Sequence, residues 1–144
     1  MSGSRWFLVL VAAGSVGCSD GSAQSIKLGA ILSTTGSLAT HGTDELEATQ
    51  LAVEEINNAG GVLGSKLSLE SRDDASDKTR APTVAQELVA LGVPAIIGAS
   101  GTSVTQAMAT VTIPAQIPTL SPGATSPALT SLQDDGFVFR TAPS

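Results

Sequence analysis

Short strand-like runs alternate with longer amphipathic stretches along most of this chain, and this alternation constrains the fold more than any other feature. The strand-like runs are IKLGAIL, KLSLESRDD, PAIIGAS, IPTLS and FVFRT, and the stretches with helical spacing are DELEATQLAVEEINN, KTRAPTVAQELVALG and SVTQAMATVTI. Strands that alternate with helices and are apolar on both faces are typical of a parallel sheet covered on both sides. With right-handed crossovers, the sequence predicts an α/β fold with a Rossmann-like, doubly wound parallel sheet.

The same spacing predicts where each helix begins and which side it buries. Asp44 and Glu47 stand at the spacing of a capping box, so we expect the first helix to begin near Asp44. Pro82 requires the second helix to begin near Thr79 or later, because proline fits only the first turn. The expected inward residues are Ala48, Leu51, Ala52 and Ile56, then Ala81, Val84, Ala85, Leu88 and Leu91, then Val104, Ala107, Met108 and Val111.

Residues 1–17 resemble an export signal. A basic residue precedes the apolar run Trp6 to Val16, which has the length of a signal core and is too short to cross a bilayer. The only cysteine, Cys18, follows small residues as in a bacterial lipobox, although Ser15 stands where lipoboxes usually have leucine. We expect a lipoprotein signal peptide over 1–17, lipidation of Cys18, a polar tether over 18–25, and a periplasmic or cell-envelope protein anchored to a membrane. Cleavage a few residues later, which would discard Cys18, is the alternative.

Charge and composition exclude several classes of partner. The net charge is −6 and no basic stripe exists, which argues against a nucleic-acid partner, since binding to phosphates requires Lys and Arg. Aromatic residues make up 3% of the chain, so stacking platforms for bases are lacking as well. One histidine and one cysteine are too few for a metal site built from those residues, and a single cysteine forms no internal disulfide.

Four loops follow the carboxyl ends of the first four predicted strands. Their sequences are STTGSLATHG, DDASD, GASGTS and SPGATS, rich in glycine and hydroxyl side chains. In open parallel sheets, ligands bind in the crevice outside the carboxyl ends of the strands. We therefore expect the functional site at this edge, and residues 26–144 to form the domain that carries it.

Catalytic and phosphate-binding interpretations of these loops find little support. A serine nucleophile elbow needs G-x-S-x-G, but Gly98 lies one place too early before Ser100, and the only histidine, His41, is on another loop. No P-loop or G-x-G-x-x-G sequence is present. Asp73 and Asp74 resemble half of a Mg²⁺ pocket without the other half, and a solvated loop is the simpler interpretation. We expect no enzyme activity, no cofactor and no metal.

A ligand clamp fits the loops better. The first turn of a helix has free N–H groups and a partial positive charge, and holds a small carboxylate without Lys or Arg. Thr102 and Ser103 begin the third predicted helix and add hydroxyls, while Gly101 lets a ligand approach the backbone. Thr125, after the fourth strand, faces the same crevice. Taken singly, each hydroxyl is more simply explained as a helix N-cap.

Several segments together resemble one known family. INNAGGVLG, the acidic strand end SRDD, IIGASGTSVTQA, SPGATSPALT and FVFRTAPS occur in the order found in the leucine/isoleucine/valine-binding protein family, the type I periplasmic solute-binding proteins of ABC transporters. The resemblance covers residues 26–144, and it implies a partial N-terminal lobe, lobe one of two. It also implies an amino-acid or small amide ligand held between the lobes, and ABC permease subunits as partners.

The resemblance assigns roles to six residues. Thr102 matches the hydroxyl that grips the ligand, with Ser100 and Gly101 beside it; Gly123 and Thr125 match a second clamp, and His41 falls where an aromatic residue often covers the ligand. Family members continue into a second lobe that is not represented in these 144 residues, so we expect a truncated gene or fragment with weak or no binding alone. The expected function is thus an exported substrate-binding lipoprotein of an ABC importer for branched-chain amino acids or related amides; the alternative is a sensing or interaction lobe without a transport role.

Overall fold

The computed structural model describes residues 25–144, which form one five-stranded parallel sheet in the order β2-β1-β3-β4-β5. The elements along the chain are β1 (Ile26–Leu32), α1 (Ala39–Asn58), β2 (Leu67–Asp73), α2 (Ala81–Ala90), β3 (Ile96–Gly98), α3 (Thr102–Thr112), β4 (Thr119–Ser121), a 3-10 turn (Pro127–Leu129) and β5 (Val138–Arg140). This arrangement confirms the predicted fold class. The expected signal peptide over 1–17 and the lipidation site Cys18 lie outside the described residues. None of the helices in 25–144 combines the length and apolar character needed to span a membrane.

The strand register divides the helices between the two faces of the sheet. Ile31 and Ile96 face α2 and α3 and belong with them to the buried core. Ala30 pairs with Ile97, Ile97 with Leu120, and Leu120 with Phe139, so this row faces the other way, toward the side of α1. Among residues 25–144, the sheet therefore has two helices on one face and one on the other.

The core lies between the sheet and the α2–α3 layer. Its central side chains, Leu88, Ile96 and Met108, have no exposed surface. Burying a side chain of this size contributes roughly 1.5–3 kcal/mol relative to exposure, so this layer supplies the main hydrophobic stabilisation of the domain. The predicted inward residues of α2 are confirmed except Leu91, which is 37% exposed because the helix ends at Ala90 and the chain turns away.

The start of α1 differs from the prediction. The helix begins at Ala39, five residues before Asp44, and its N-cap residue Leu38 makes no side-chain capping bond. Gly42 explains the early start, because a Cβ at this position would lie 2.1 Å from the carbonyl oxygen of Ser33. The missing side chain lets the first turn of α1 pack directly on the end of β1, and the predicted capping box at Asp44 is wrong.

The predicted burial of α1 is also wrong. Leu51 and Ile56 are 57% and 39% exposed, and Ala48 and Ala52 are exposed as well. Ala48, Ala52 and Ile56 line a groove against the sheet, whereas Leu51 is outside it. The spacing predicted a helix correctly, but within the described residues no second helix packs beside α1 and buries its apolar side chains.

The other two helices begin and end close to their predicted limits. Pro82 lies in the first turn of α2, as its missing N–H requires. In α3, Val104 and Met108 are buried, and Ala107 and Val111 pack partly buried against the core. Thr105 and Thr112 are fully buried too, which the apolar pattern did not predict.

Candidate functional site

The carboxyl ends of β1, β2, β3 and β4 form one rim, because parallel strands all end at the same edge. Side-chain hydrogen bonds tie the loops that follow them into a continuous surface. Ser33 after β1 bonds to Asp74 after β2 and to Ser100 after β3, and Thr102 bonds to Ser126 after β4. The four loops singled out in the sequence are thus adjacent, as predicted.

Asp73 and Asp74 join the first two loops rather than forming a metal pocket. The Asp74 carboxylate is fully buried, and its Oδ1 accepts bonds from the Ser33 hydroxyl at 2.6 Å and the Ser76 N–H at 2.8 Å. The interpretation of this pair as a solvated loop is therefore wrong for Asp74. Across residues 25–144, no three His, Cys, Asp or Glu side chains come together in a way that would hold a metal ion.

Asp73 binds the tip of the loop after β1. Its two oxygens accept bonds from the Thr35 N–H at 3.2 Å and the Thr35 hydroxyl at 2.5 Å, and Oδ1 also accepts from the Ala75 N–H at 2.9 Å. Partial burial works to raise the pKa of Asp73, but these hydrogen bonds to the ionised form outweigh it and hold the pKa below the ordinary 3.8. The contact between β2 and the loop after β1 is therefore strongest when the Asp73 carboxylate is ionised.

Ser100 and Gly101 shape the start of α3. Ser100 is 5% exposed, and its hydroxyl accepts the Ser33 N–H at 3.2 Å, so it ties β1 to β3 beneath the rim. Gly101 is the N-cap residue, has extended backbone angles and supplies no side-chain cap. The explanation of the Thr102 and Ser103 hydroxyls as N-caps of α3 is therefore wrong. The first-turn N–H groups of α3 keep the donor capacity that a side-chain cap would have used.

Thr102 and the turn after β4 lie against each other. The Thr102 hydroxyl accepts the Ser126 N–H at 3.3 Å, and Arg140 in β5 donates to the Ser126 carbonyl at 2.7 Å. Thr125, the residue before Ser126, is exposed at this edge. Gly123 in the same turn packs closely on the loop after β3, because a Cβ there would stand 2.4 Å from the Ser100 carbonyl oxygen.

His41 is placed differently from its prediction. It was expected in the loop after β1, but α1 begins at Ala39, so His41 lies in the first helical turn and is exposed. The hydrogen bonds that connect the loops around Ser100, Thr102 and Gly123 do not involve it. The structure brings the loops that carry the other five predicted residues together, and none of the hydrogen bonds among the described residues joins His41 to them.

Two hydroxyls beneath the rim have structural roles that the sequence did not predict. Ser121, at the end of β4, donates to the Ala99 carbonyl at 2.6 Å and accepts the Ala124 N–H at 3.1 Å. Thr105 donates to the Gly101 carbonyl at 2.9 Å, one turn back in α3. A polar residue closing an otherwise apolar strand, as in IPTLS, is the signal that points to Ser121. These bonds fix the backbone of both clamp loops.

The rim combines a helix N-terminus with hydroxyl side chains. The N-terminus of α3 supplies backbone donors and the positive end of the helix dipole, and the Thr102 hydroxyl there is bonded to the turn that also holds Thr125. No basic side chain occurs in the loop after β3 or in the turn after β4. Open parallel α/β sheets form a class of proteins whose ligands bind outside the carboxyl ends of the strands.

Comparison with known families agrees with this class. The family model described as periplasmic binding protein matches residues 25–144, and the chain belongs to this family. It is 38% identical over 122 residues to the Leu/Ile/Val-binding protein homolog 8 of Brucella abortus, covering 83% of this chain and 29% of the relative. Against the Leu/Ile/Val-binding protein of Escherichia coli K12 it is 34% identical over 109 residues, covering 76% of this chain and 30% of the relative. The predicted family resemblance is confirmed.

Solved structures show the same likeness in three dimensions. The branched-chain amino acid transporter substrate-binding protein LivJ of Streptococcus pneumoniae, solved with isoleucine, matches with a TM-score of 0.80 and 34% identity, covering 84% of this chain and 34% of that one. An ABC transporter substrate-binding protein of Desulfitobacterium hafniense, solved with Leu, matches with a TM-score of 0.72 and 33% identity, covering 84% of this chain and 35% of that one. The chain thus spans about a third of the length of these relatives.

Proposed function

We propose that this chain is the ligand-binding part of an exported substrate-binding lipoprotein of an ABC importer, with branched-chain amino acids or related small amides as ligands. The observation that carries the proposal is the meeting of Thr102, at the uncapped N-terminus of α3, with the turn that holds Gly123 and Thr125. The relatives named above are described as Leu/Ile/Val-binding proteins or were solved with isoleucine or leucine. The partner in this function is the permease of the importer.

The two loops of the rim bind opposite ends of a zwitterionic ligand. The ligand carboxylate accepts bonds from the first-turn N–H groups of α3 and from the Thr102 hydroxyl, where the helix dipole favours negative charge. Gly123 offers its backbone carbonyl to the ammonium group, and the Thr125 hydroxyl adds a second contact. Ser100 lies beneath these two loops and holds the end of β3 against β1. The ligand is bound without any covalent bond being made or broken.

We expect the ligand to bind weakly to residues 25–144 alone. Small-molecule sites bury about 70–90% of the ligand surface, and a single rim covers the ligand from one side. Calorimetric titration of the protein with isoleucine should therefore give a Kd well above about 1 µM. Isoleucinamide, which lacks the carboxylate, should bind more weakly still. Micromolar affinity, or equal affinity for the acid and the amide, would contradict this description of the site.

The lipid anchor is a separate part of the proposal. Cys18 follows the apolar run Trp6 to Val16 and small residues, the pattern on which lipidation was predicted. Growth of expressing cells with radioactive palmitate should label the protein, and Cys18→Ala should remove the label. Persistence of the label in Cys18→Ala would refute attachment at this cysteine.

A further inference from the structure

Ser121 lies beneath the rim, where a ligand does not touch it. It is the last residue of β4 and has no exposed surface, and Ala99 and Ala124, which it contacts, have none either. Its hydroxyl donates to the Ala99 carbonyl at 2.6 Å and accepts the Ala124 N–H at 3.1 Å. One oxygen therefore joins the loop after β3 to the turn after β4, and it acts on a ligand only through those two segments.

The bond from Ala124 fixes the direction of the Gly123 carbonyl. The Gly123 C=O and the Ala124 N–H belong to one peptide group, which is planar and trans, so the two bonds point in opposite directions. Because the N–H points to the buried Ser121, the carbonyl points away from it. Among residues 25–144, no donor bonds to this carbonyl, and Gly123 is half-buried. It is therefore a free acceptor in the turn where the ammonium group of the ligand is proposed to bind.

The bond to Ala99 ties the same hydroxyl to the start of α3. Ala99 lies two residues before the N-cap residue Gly101, whose carbonyl accepts the Thr105 hydroxyl at 2.9 Å. The Thr105 hydroxyl is in turn 3.4 Å from that of Ser121. A hydroxyl donates one proton and accepts through two lone pairs, and Ser121 uses the proton on one loop and a lone pair on the other. Removal of this oxygen would release the Ala99 carbonyl and the Ala124 N–H together.

We propose that Ser121 is a positioning residue: it directs the Gly123 carbonyl toward the ligand and so gives the site its preference for ligands with a free ammonium group. The inference rests on the function proposed above, because it concerns the same site. Without the Ser121 hydroxyl, the Ala124 N–H is buried with no acceptor, which a peptide group avoids by rotating toward another partner or solvent. The Gly123 carbonyl rotates with it, since both belong to one plane.

The first measurement uses the full ¹⁵N-labelled chain without ligand. In Ser121→Ala, the Ala124 amide should exchange with solvent at least about tenfold faster than in wild type, because it has lost its acceptor. Thr112→Val is the matched control, since it removes a fully buried hydroxyl, bonded to Thr119 at 3.1 Å, from the other end of the contact between α3 and β4. It should leave the Ala124 amide unchanged. Unchanged exchange in Ser121→Ala, or equal acceleration in Thr112→Val, would overturn the proposal.

The second measurement compares isoleucine with the carboxylic acid in which hydrogen replaces its amino group, each titrated into the protein and followed by the amide resonances. Wild type should prefer isoleucine, and Ser121→Ala should reduce that preference at least about fivefold, whereas Thr112→Val should retain it. Ser121→Cys, which keeps the size but bonds more weakly through sulfur, replaces Ser121→Ala if circular dichroism shows that the alanine variant does not fold.

The two ligands separate a positioning role from a merely structural one. An equal loss of affinity for both ligands in Ser121→Ala would overturn the proposal, because Ser121 would then only stabilise the fold. If wild type does not respond to isoleucine, the proposed function fails, and with it the preference for an ammonium group. The exchange of the Ala124 amide still decides in that case whether Ser121 directs the Gly123 carbonyl.

Discussion

Single polar side chains decide how the loops at the rim are held. Ser33, Ser100 and Asp74 are all buried, and their bonds link three strand ends that lie far apart in the sequence, since Ser33 and Ser100 are 67 positions apart. Local sequence patterns do not predict hydrogen bonds between such distant residues. For this reason Asp74 was expected in solvent and Ser100 was expected only beside the ligand. The place of Thr102 at the start of a helix was easier to predict, because a helix start has sequence signals of its own, whereas Gly123 was assigned by the family resemblance.

The Asp73 carboxylate should make stability sensitive to acid. Its folded pKa is lower than its unfolded value of about 3.8, so its stabilising contribution is present above that value and is lost as the pH falls through the lower folded pKa. Asp73→Asn should be less stable than wild type at pH 7, and the difference should shrink below about pH 4 as the wild-type carboxyl takes up a proton. Urea denaturation at a series of pH values measures this, with Asp44→Asn, an exposed carboxyl on α1, as the control. A constant difference across the series would show that charge at Asp73 does not matter.

At the scale of elements, the strands were predicted more reliably than the helix ends. Short strand-like runs located all five strands to within a few residues. The central strand β1 is largely apolar, whereas the edge strand β2, LSLESRD, is not apolar on both faces. The start of α1 was missed because it depends on a contact, Gly42 against Ser33, and not on a capping residue. The same early start moved His41 from the predicted loop into a helix.

The packing of α1 on β1 should fail when Gly42 gains a side chain. The Cβ of Gly42→Ala would meet the backbone of Ser33, which cannot rotate away as a flexible side chain would. We expect a loss of about 1–3 kcal/mol or more in the free energy of unfolding, the usual range for overpacking. Gly60→Ala does not isolate this effect because Gly60 has a positive φ, so Thr43→Ala, at the next, exposed position of α1, is the matched control. Equal stability of Gly42→Ala and wild type in urea would contradict the close contact.

At the scale of the whole molecule, the fold class and the edge that carries the site followed from one rule about parallel sheets. The alternation of strands and helices fixed the topology, and the topology brought the loops after β3 and β4 together. What the sequence did not reveal was the uneven covering of the sheet. Helical spacing in α1 predicted an inward face, but spacing alone does not say whether a neighbouring helix completes the layer.

In the proposed function, the N-terminus of α3 holds the carboxylate of a small amino acid and the turn after β4 holds its ammonium group. The most direct measurement is a titration of the ¹⁵N-labelled protein with isoleucine, followed by the amide resonances in two-dimensional NMR spectra. We expect shifts confined to the amides of 102–104 and 123–126, strongly reduced in Thr102→Val and retained in Thr110→Ala, which removes an exposed hydroxyl near the other end of α3. Shifts centred elsewhere on the protein, or a Thr102→Val variant that responds like wild type, would contradict it.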